Sequence, residues 1–237
     1  MSKTLNFNLT PRREGNRSVA TGIAPVHFNL QQIKVRFDSG CSAIRKEDAI
    51  ATMLENSGQQ DESMRILRSQ IVFLEGILDF YIHEMSKYAL YHMFLGQWSK
   101  SEQYCSILIP MKEVEKSIDA PEQKEWFYDF VNRRMSREVY LSADSMNKQL
   151  NLIGLPFAEV MIDAFKSQFP EKRDQDLIKI GKNIISGLFD RRNKIVHQDD
   201  RDHGSAAQSA IDAGYVDKCF NDVKAIVSAI QKIAEEK

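Results

Sequence analysis

Arg192 and His197 are the residues of this chain best suited, by type and by place, to do chemistry. In the segment 184–197, IISGLFDRRNKIVH, the apolar stripe runs Ile184, Leu188, Ile195 and Val196. Arg192 falls on that stripe, four residues after Leu188 and four before Val196. A guanidinium on a core-facing stripe must be paired or must line a cavity. His197 can take up and return a proton near neutrality, and a guanidinium can neutralise charge building on phosphorus oxygens. Asn193 lies four residues before His197 and shares its face, so it can orient the imidazole or a substrate. Arg191 turns to the solvated side. With Lys194 it is a candidate for contacting an anionic substrate. On an ideal helix Arg192 and His197 stand about 140° apart, so a distorted helix end or a second subunit must bring them together.

A second segment, 67–84, is apolar almost all round, as a central bundle helix should be. Its polar exceptions Glu75, Asp79 and His83 recur every four residues and form one column. A carboxylate column on a buried helix needs cationic partners or a polar cavity; a column on an exposed edge, or one satisfied by a structural ion pair, would also do. Asp79 is expected to pair with Arg192, with Glu75 close by as a further substrate contact. After His197 come Asp199, Asp200 and Asp202, interleaved with Arg201 and His203. Acidic groups there oppose the helix dipole and favour a protonated imidazole. A metal ion on His197, Asp199 and His203 is the competing reading. No distant ligand joins that cluster, so a solvated turn, no metal and no cofactor are expected.

These residues need long helices to hold them. Helical periodicity predicts a short helix over 47–56, a long one over 61–95 beginning at an Asp61 cap, pieces over 101–118, 121–145 and 156–168, a second long helix over 174–198, and a last one over 215–236. Upstream, Val26, Phe28 and Leu30 alternate, as do Ile33, Val35 and Phe37 after a one-residue slip, which predicts a bulged strand or a small strand pair ended by Asp38-Ser39-Gly40. The expected architecture is all-α, a helical bundle with two long core helices over 46–237, plus a short extended N-terminal arm over 1–45. There is no internal repeat, Gly-rich phosphate loop or GxSxG.

Composition agrees. Among 237 residues Gly (11) and Pro (6) are scarce and 43% are apolar, which argues for helices and against turn-dense β folds. Glu75, Asp79 and Glu84 interrupt the most hydrophobic stretch, so no membrane span is expected. The first thirty residues lack an apolar core and a cleavage pattern. The cysteines Cys41, Cys105 and Cys219 are far apart and odd in number, which fits a reduced, cytoplasmic setting rather than a disulfide scaffold. Net charge is −1, but residues 1–46 carry eight basic residues against two acidic ones, hence +6, leaving −7 for the rest. Such an arm can touch a phosphate backbone or remain a solvated leader.

Arg192-Asn193-Lys194-Ile195-Val196-His197 resembles the R-x(4–6)-H signature of the HEPN superfamily, including the Asn that often follows the Arg. The segment 67–84, with LDFYIHE, is similar to the first core helix of its RiboL-PSP branch, and RRNKIVHQDD and YVDKCFNDVKAIVSAI resemble the same branch. The likeness runs over roughly residues 60–236. It implies a metal-independent endoribonuclease, acting as a toxin or in antiphage defence. It also implies a homodimer in which the Arg and His of both subunits face one cleft, RNA as substrate, and any antitoxin on a separate chain. Carried onto this sequence, Arg192 and His197 match the motif, Asn193 its polar position and Asp79 the acidic position. The other function open to the same cleft is a non-catalytic module that dimerises or binds RNA or nucleotide.

Overall fold

The computed structural model describes residues 26–119, 122–202 and 204–237. Ten helices lie among them: α1 Leu30–Arg45, α2 Asp48–Asn56, α3 Gln60–Phe94, α4 Glu102–Cys105, α5 Met111–Asp119, α6 Glu125–Met135, α7 Ala143–Leu152, α8 Phe157–Lys166, α9 Asp174–Gln198 and α10 Ala213–Glu235. No strand occurs among the described residues; a single antiparallel bridge pairs Arg201 with Gln208. The architecture is an all-α bundle. No described helix is long and apolar enough to cross a membrane.

The bundle is built around α3, which packs against α1, α2, α6, α9 and α10. Its buried side chains, Leu67, Ile71, Leu74, Leu78, Ile82, Met85 and Ala89 among them, recur at three- and four-residue steps and give a core stripe along the whole helix. Tyr81 is fully buried; its hydroxyl donates to Gln231 Oε1 on α10 at 3.1 Å, and its ring meets Phe37 of α1 edge-on at 5.6 Å. On the other side α8 packs against α9 and α10. Gly181 of α9 makes close approach possible there, since a Cβ at that position would lie 2.8 Å from Met161 Cγ.

The strand expected over 26–37 is instead the start of α1. The buried set is Ile33, Phe37, Cys41 and Ile44, a helical spacing, whereas Val35, which the alternating pattern placed inside, is 49% exposed. Asn29 starts the helix with a capping box, its side chain accepting from the Gln32 N–H at 2.8 Å and the Gln32 side chain accepting from the Asn29 N–H at 3.0 Å. Gly40, expected in a turn, lies inside α1 where the chain comes close to Ile77 of α3. Residues 30–45 therefore belong to the bundle and not to an extended arm; of that arm, residues 1–25 lie outside the described residues. The helix expected over 101–118 divides at Pro110 into α4 and α5. The one expected over 121–145 divides at 136–142 into α6 and α7, because Tyr140 and Leu141 are buried between them and Ser142 caps α7 by accepting the Ser145 N–H. Near 61 the helix begins at Gln60, with Asp61 in its first turn and not as its cap.

Candidate active site

Helix α9 places the motif. Its buried line is Leu177, Gly181, Ile185 and Leu188, and the next residue on that line is Arg192, half-buried against α3. There Arg192 Nε is 3.6 Å from Glu75 Oε2, and Glu75 is 1% exposed. Neither atom has a hydrogen-bond partner among the described residues. Arg192 Nη1 donates to Asn193 Oδ1 at 3.0 Å, so Asn193 steadies the guanidinium rather than His197. Burial pushes the Glu75 carboxyl up to about 7, with Asp79 and Asp190 adding to the rise and Arg192 opposing it. The pair is thus a guanidinium held loosely by an acid that is only partly ionised at neutrality. The Nη2 amino group makes no hydrogen bond among the described residues and is left for an oxyanion.

Asp79 does not pair with Arg192, contrary to expectation. It lies one helical turn farther along α3, level with the connection between α6 and α7. There its Oδ1 accepts the otherwise free Tyr140 N–H at 3.0 Å and its Oδ2 sits 3.6 Å from His83 Nε2. The column of Glu75, Asp79 and His83 does share one face. Its lower half borders a groove of about 280 Å³ between α3 and α6, lined by Gly76, Phe80, Lys87 and Asn132 as well.

His197 is exposed in the last turn of α9 and has no hydrogen bond or ion pair to any described residue. Since α9 remains helical through Gln198, His197 stands about 140° around and about 7.5 Å along from Arg192. One chain does not bring the two together. The helix ends at Asp199 and Asp200, both left-handed (φ 51° and 57°), a conformation that Asp tolerates better than most residues.

The segment after the helix is pinned by charges, of which the sequence did not single out Arg68. Asp200 is fully buried, and its Oδ2 meets Arg68 Nε at 2.9 Å and Arg191 Nη2 at 2.7 Å. Arg68 also donates to the Ser209 carbonyl at 2.8 Å, Arg191 to the Ala210 carbonyl at 2.8 Å, and Lys194 Nζ to Ser209 Oγ at 2.8 Å. Arg191, expected in solvent and ready for substrate, is therefore a clamp on the segment 199–212, and Lys194 joins it. The signal for Arg68 was there to read: it lies seven residues before Glu75, on the same face of α3. Asp202 is taken up by the Gly204 and Ser205 N–H groups and Asp199 by Arg201. Among the described residues no three His, Cys, Asp or Glu side chains converge as for a metal; His203 lies outside the described residues.

The RiboL-PSP-HEPN family model matches residues 42–236, so the likeness begins near the end of α1 and takes in α2, upstream of the expected start at 60. No curated protein and no solved structure gives a significant match.

Proposed function

Because the chain belongs to the RiboL-PSP-HEPN family, whose relatives are often ribonucleases, we propose that it is a metal-independent endoribonuclease whose active site is completed by a second copy. The observation that carries this reading is Arg192: a half-buried guanidinium whose Nη2 makes no hydrogen bond among the described residues, on the same helix as an exposed His197 that has no partner among them either. RNA brings its own nucleophile. The 2′-oxygen attacks phosphorus, His197 takes its proton, the bond to the 5′-oxygen breaks, and the imidazolium or a water molecule gives a proton to the leaving oxygen, leaving a 2′,3′-cyclic phosphate and a 5′-OH. Arg192 holds the phosphate and stabilises its added negative charge, and Asn193 fixes the guanidinium. Glu75 keeps Arg192 in place through the buried pair, and Asp79 supports the α6–α7 connection. Arg191 and Lys194 act on substrate only through the segment they hold.

In a homodimer the His197 of one subunit reaches the Arg192 of the other, which removes the gap that a single α9 leaves. Action as a toxin or in antiphage defence within the cytoplasm, with any neutralising partner on a separate chain, follows from the same reading. The Arg192–Glu75 pair favours one rival, a non-catalytic module that binds RNA or nucleotide, since an ion pair within the fold can also serve structure. Incubating the purified protein with mixed RNA in EDTA decides between them. Cleavage that leaves cyclic phosphate ends, persists in EDTA and disappears in His197→Ala and Arg192→Ala variants of unchanged fold is expected. Intact RNA supports the module, and cleavage lost in EDTA and restored by magnesium returns the metal hydrolase.

A further inference from the structure

We propose that the groove between α6 and α7 is a base-reading subsite that takes an adenine nucleotide of the RNA strand beside the cleaved bond; in assigning the nucleotide to a substrate strand it rests on the ribonuclease reading above. The groove measures about 460 Å³, the size of a small-ligand site. Phe130, Met135 and Leu152 supply the apolar part of its lining and suit the faces of a planar base. The Gln149 side chain lines it. That residue is 5% exposed, and its amide nitrogen is buried with no hydrogen-bond partner among the described residues. A buried donor left unpaired costs free energy that an acceptor on a ligand would recover. A Gln amide pairs in two-pronged fashion with the adenine edge, donating to one ring nitrogen while accepting from the exocyclic amine.

The rim supplies what the rest of a nucleotide needs. Arg134 and Lys148 are exposed, have no ion pair among the described residues, and border the groove; these suit a phosphate. Glu138 and Asp144, also on the rim, are acceptors for sugar hydroxyls. Tyr140 joins the groove to the candidate active site. It lines the groove, its N–H donates to Asp79, and its ring lies 4.8 Å from that of His83. Asp79 is one turn of α3, about 6 Å of rise, from the Glu75 that holds Arg192. Tyr140 thus ties the near end of the groove to the Asp79 turn of α3, the direction in which a strand held at Arg192 would extend to reach it.

The test uses the full chain and three probes: 5′-AMP, 5′-CMP and a single-stranded oligodeoxyadenylate, which lacks the 2′-OH and cannot be cut. Affinities are measured by calorimetry for wild type, Gln149→Leu and Arg134→Ala, with melting curves and RNA cleavage on the same preparations. The expected result is that the oligomer binds more tightly than AMP and AMP at least tenfold more tightly than CMP. Gln149→Leu should weaken both adenine probes about tenfold and abolish the preference over CMP, while Arg134→Ala, at an exposed position, weakens all three probes several-fold and keeps the preference. AMP binding as tightly as the oligomer would assign the groove to a free nucleotide and overturn its place in the substrate strand. An absent adenine preference in wild type, or wild-type affinities in a folded Gln149→Leu or in Arg134→Ala, overturns the subsite altogether. Uncleaved RNA together with Gln149-dependent adenine binding removes the catalytic reading and leaves the nucleotide site standing as a free binding site.

Discussion

At the scale of single residues the decisive group is Glu75, an acid buried beside a guanidinium that never comes within hydrogen-bonding distance of it. Its carboxyl sits near 7 in the folded chain against an ordinary value of 4.5. The folded state therefore holds this proton more tightly than the unfolded one. The group's contribution to stability is greatest below about 4.5 and is lost as pH rises toward 7, by an amount of at most about 3 kcal/mol at 1.36 kcal/mol per unit. Glu75→Gln mimics the protonated acid. It should melt with wild type at pH 4.5 and several degrees above it at pH 8, as followed by circular dichroism; equal melting at both values would mean that Arg192 compensates the buried charge fully. The sequence made Arg192 legible, because a charge on an apolar stripe has to be answered. It did not show which carboxylate answers. Glu75 and Asp79 are one turn apart on one face, and the choice depends on how far α9 slides along α3, a matter of tertiary packing that no local pattern encodes.

At the scale of elements the clamp on the segment 199–212 governs where the end of α9, and with it His197, is held. Arg68 and Asp200 are 5% and 0% exposed, so removing the shared carboxylate leaves buried positive charge unanswered. Asp200→Asn, which keeps a side chain tolerant of the left-handed backbone, should cost about 3 kcal/mol in chemical denaturation. Asp199→Asn, whose ion pair with Arg201 is exposed, should cost less than about 1 kcal/mol. If the two variants lose the same amount, the clamp is not what holds the segment. The long helices were legible because their periodicity extends over many turns: α9 is found at the expected 174–198, and α3 within a residue of its expected bounds. The first helix was not. A short run such as Val26 to Phe37 satisfies period two and a helical face about equally well, and what decides is the capping box at Asn29 and Gln32 and the core offered by α3.

At the scale of the whole molecule the unsolved distance lies between Arg192 and His197. A regular α9 keeps them on different faces, and the proposed dimer answers this by pairing the Arg of one chain with the His of the other. Arg192→Ala and His197→Ala, each inactive alone, should then recover part of the cleavage when unfolded and refolded together, because the mixed dimer retains one intact pair. Light scattering at micromolar concentration should show twice the mass of one chain for both variants. A mixture that stays inactive although it forms dimers would place the reaction within a single chain, and a strictly monomeric protein would remove the second copy from the mechanism.

The span of the contacts that tie α3 to the C-terminal part of the chain has a consequence for how the protein is made. Arg68 meets Asp200 across 132 residues, and Tyr81 meets Gln231 across 150. A nascent chain that has released α3 from the ribosome carries Arg68 but still lacks Asp200 and Arg191, its partners in the clamp on the end of α9, and contacts of such separation form late because long loops must close first. On the ribonuclease reading, the growing polypeptide is harmless to the message that encodes it and to the ribosomal RNA around it. The cutting centre is assembled only after synthesis has passed the residues that hold it together.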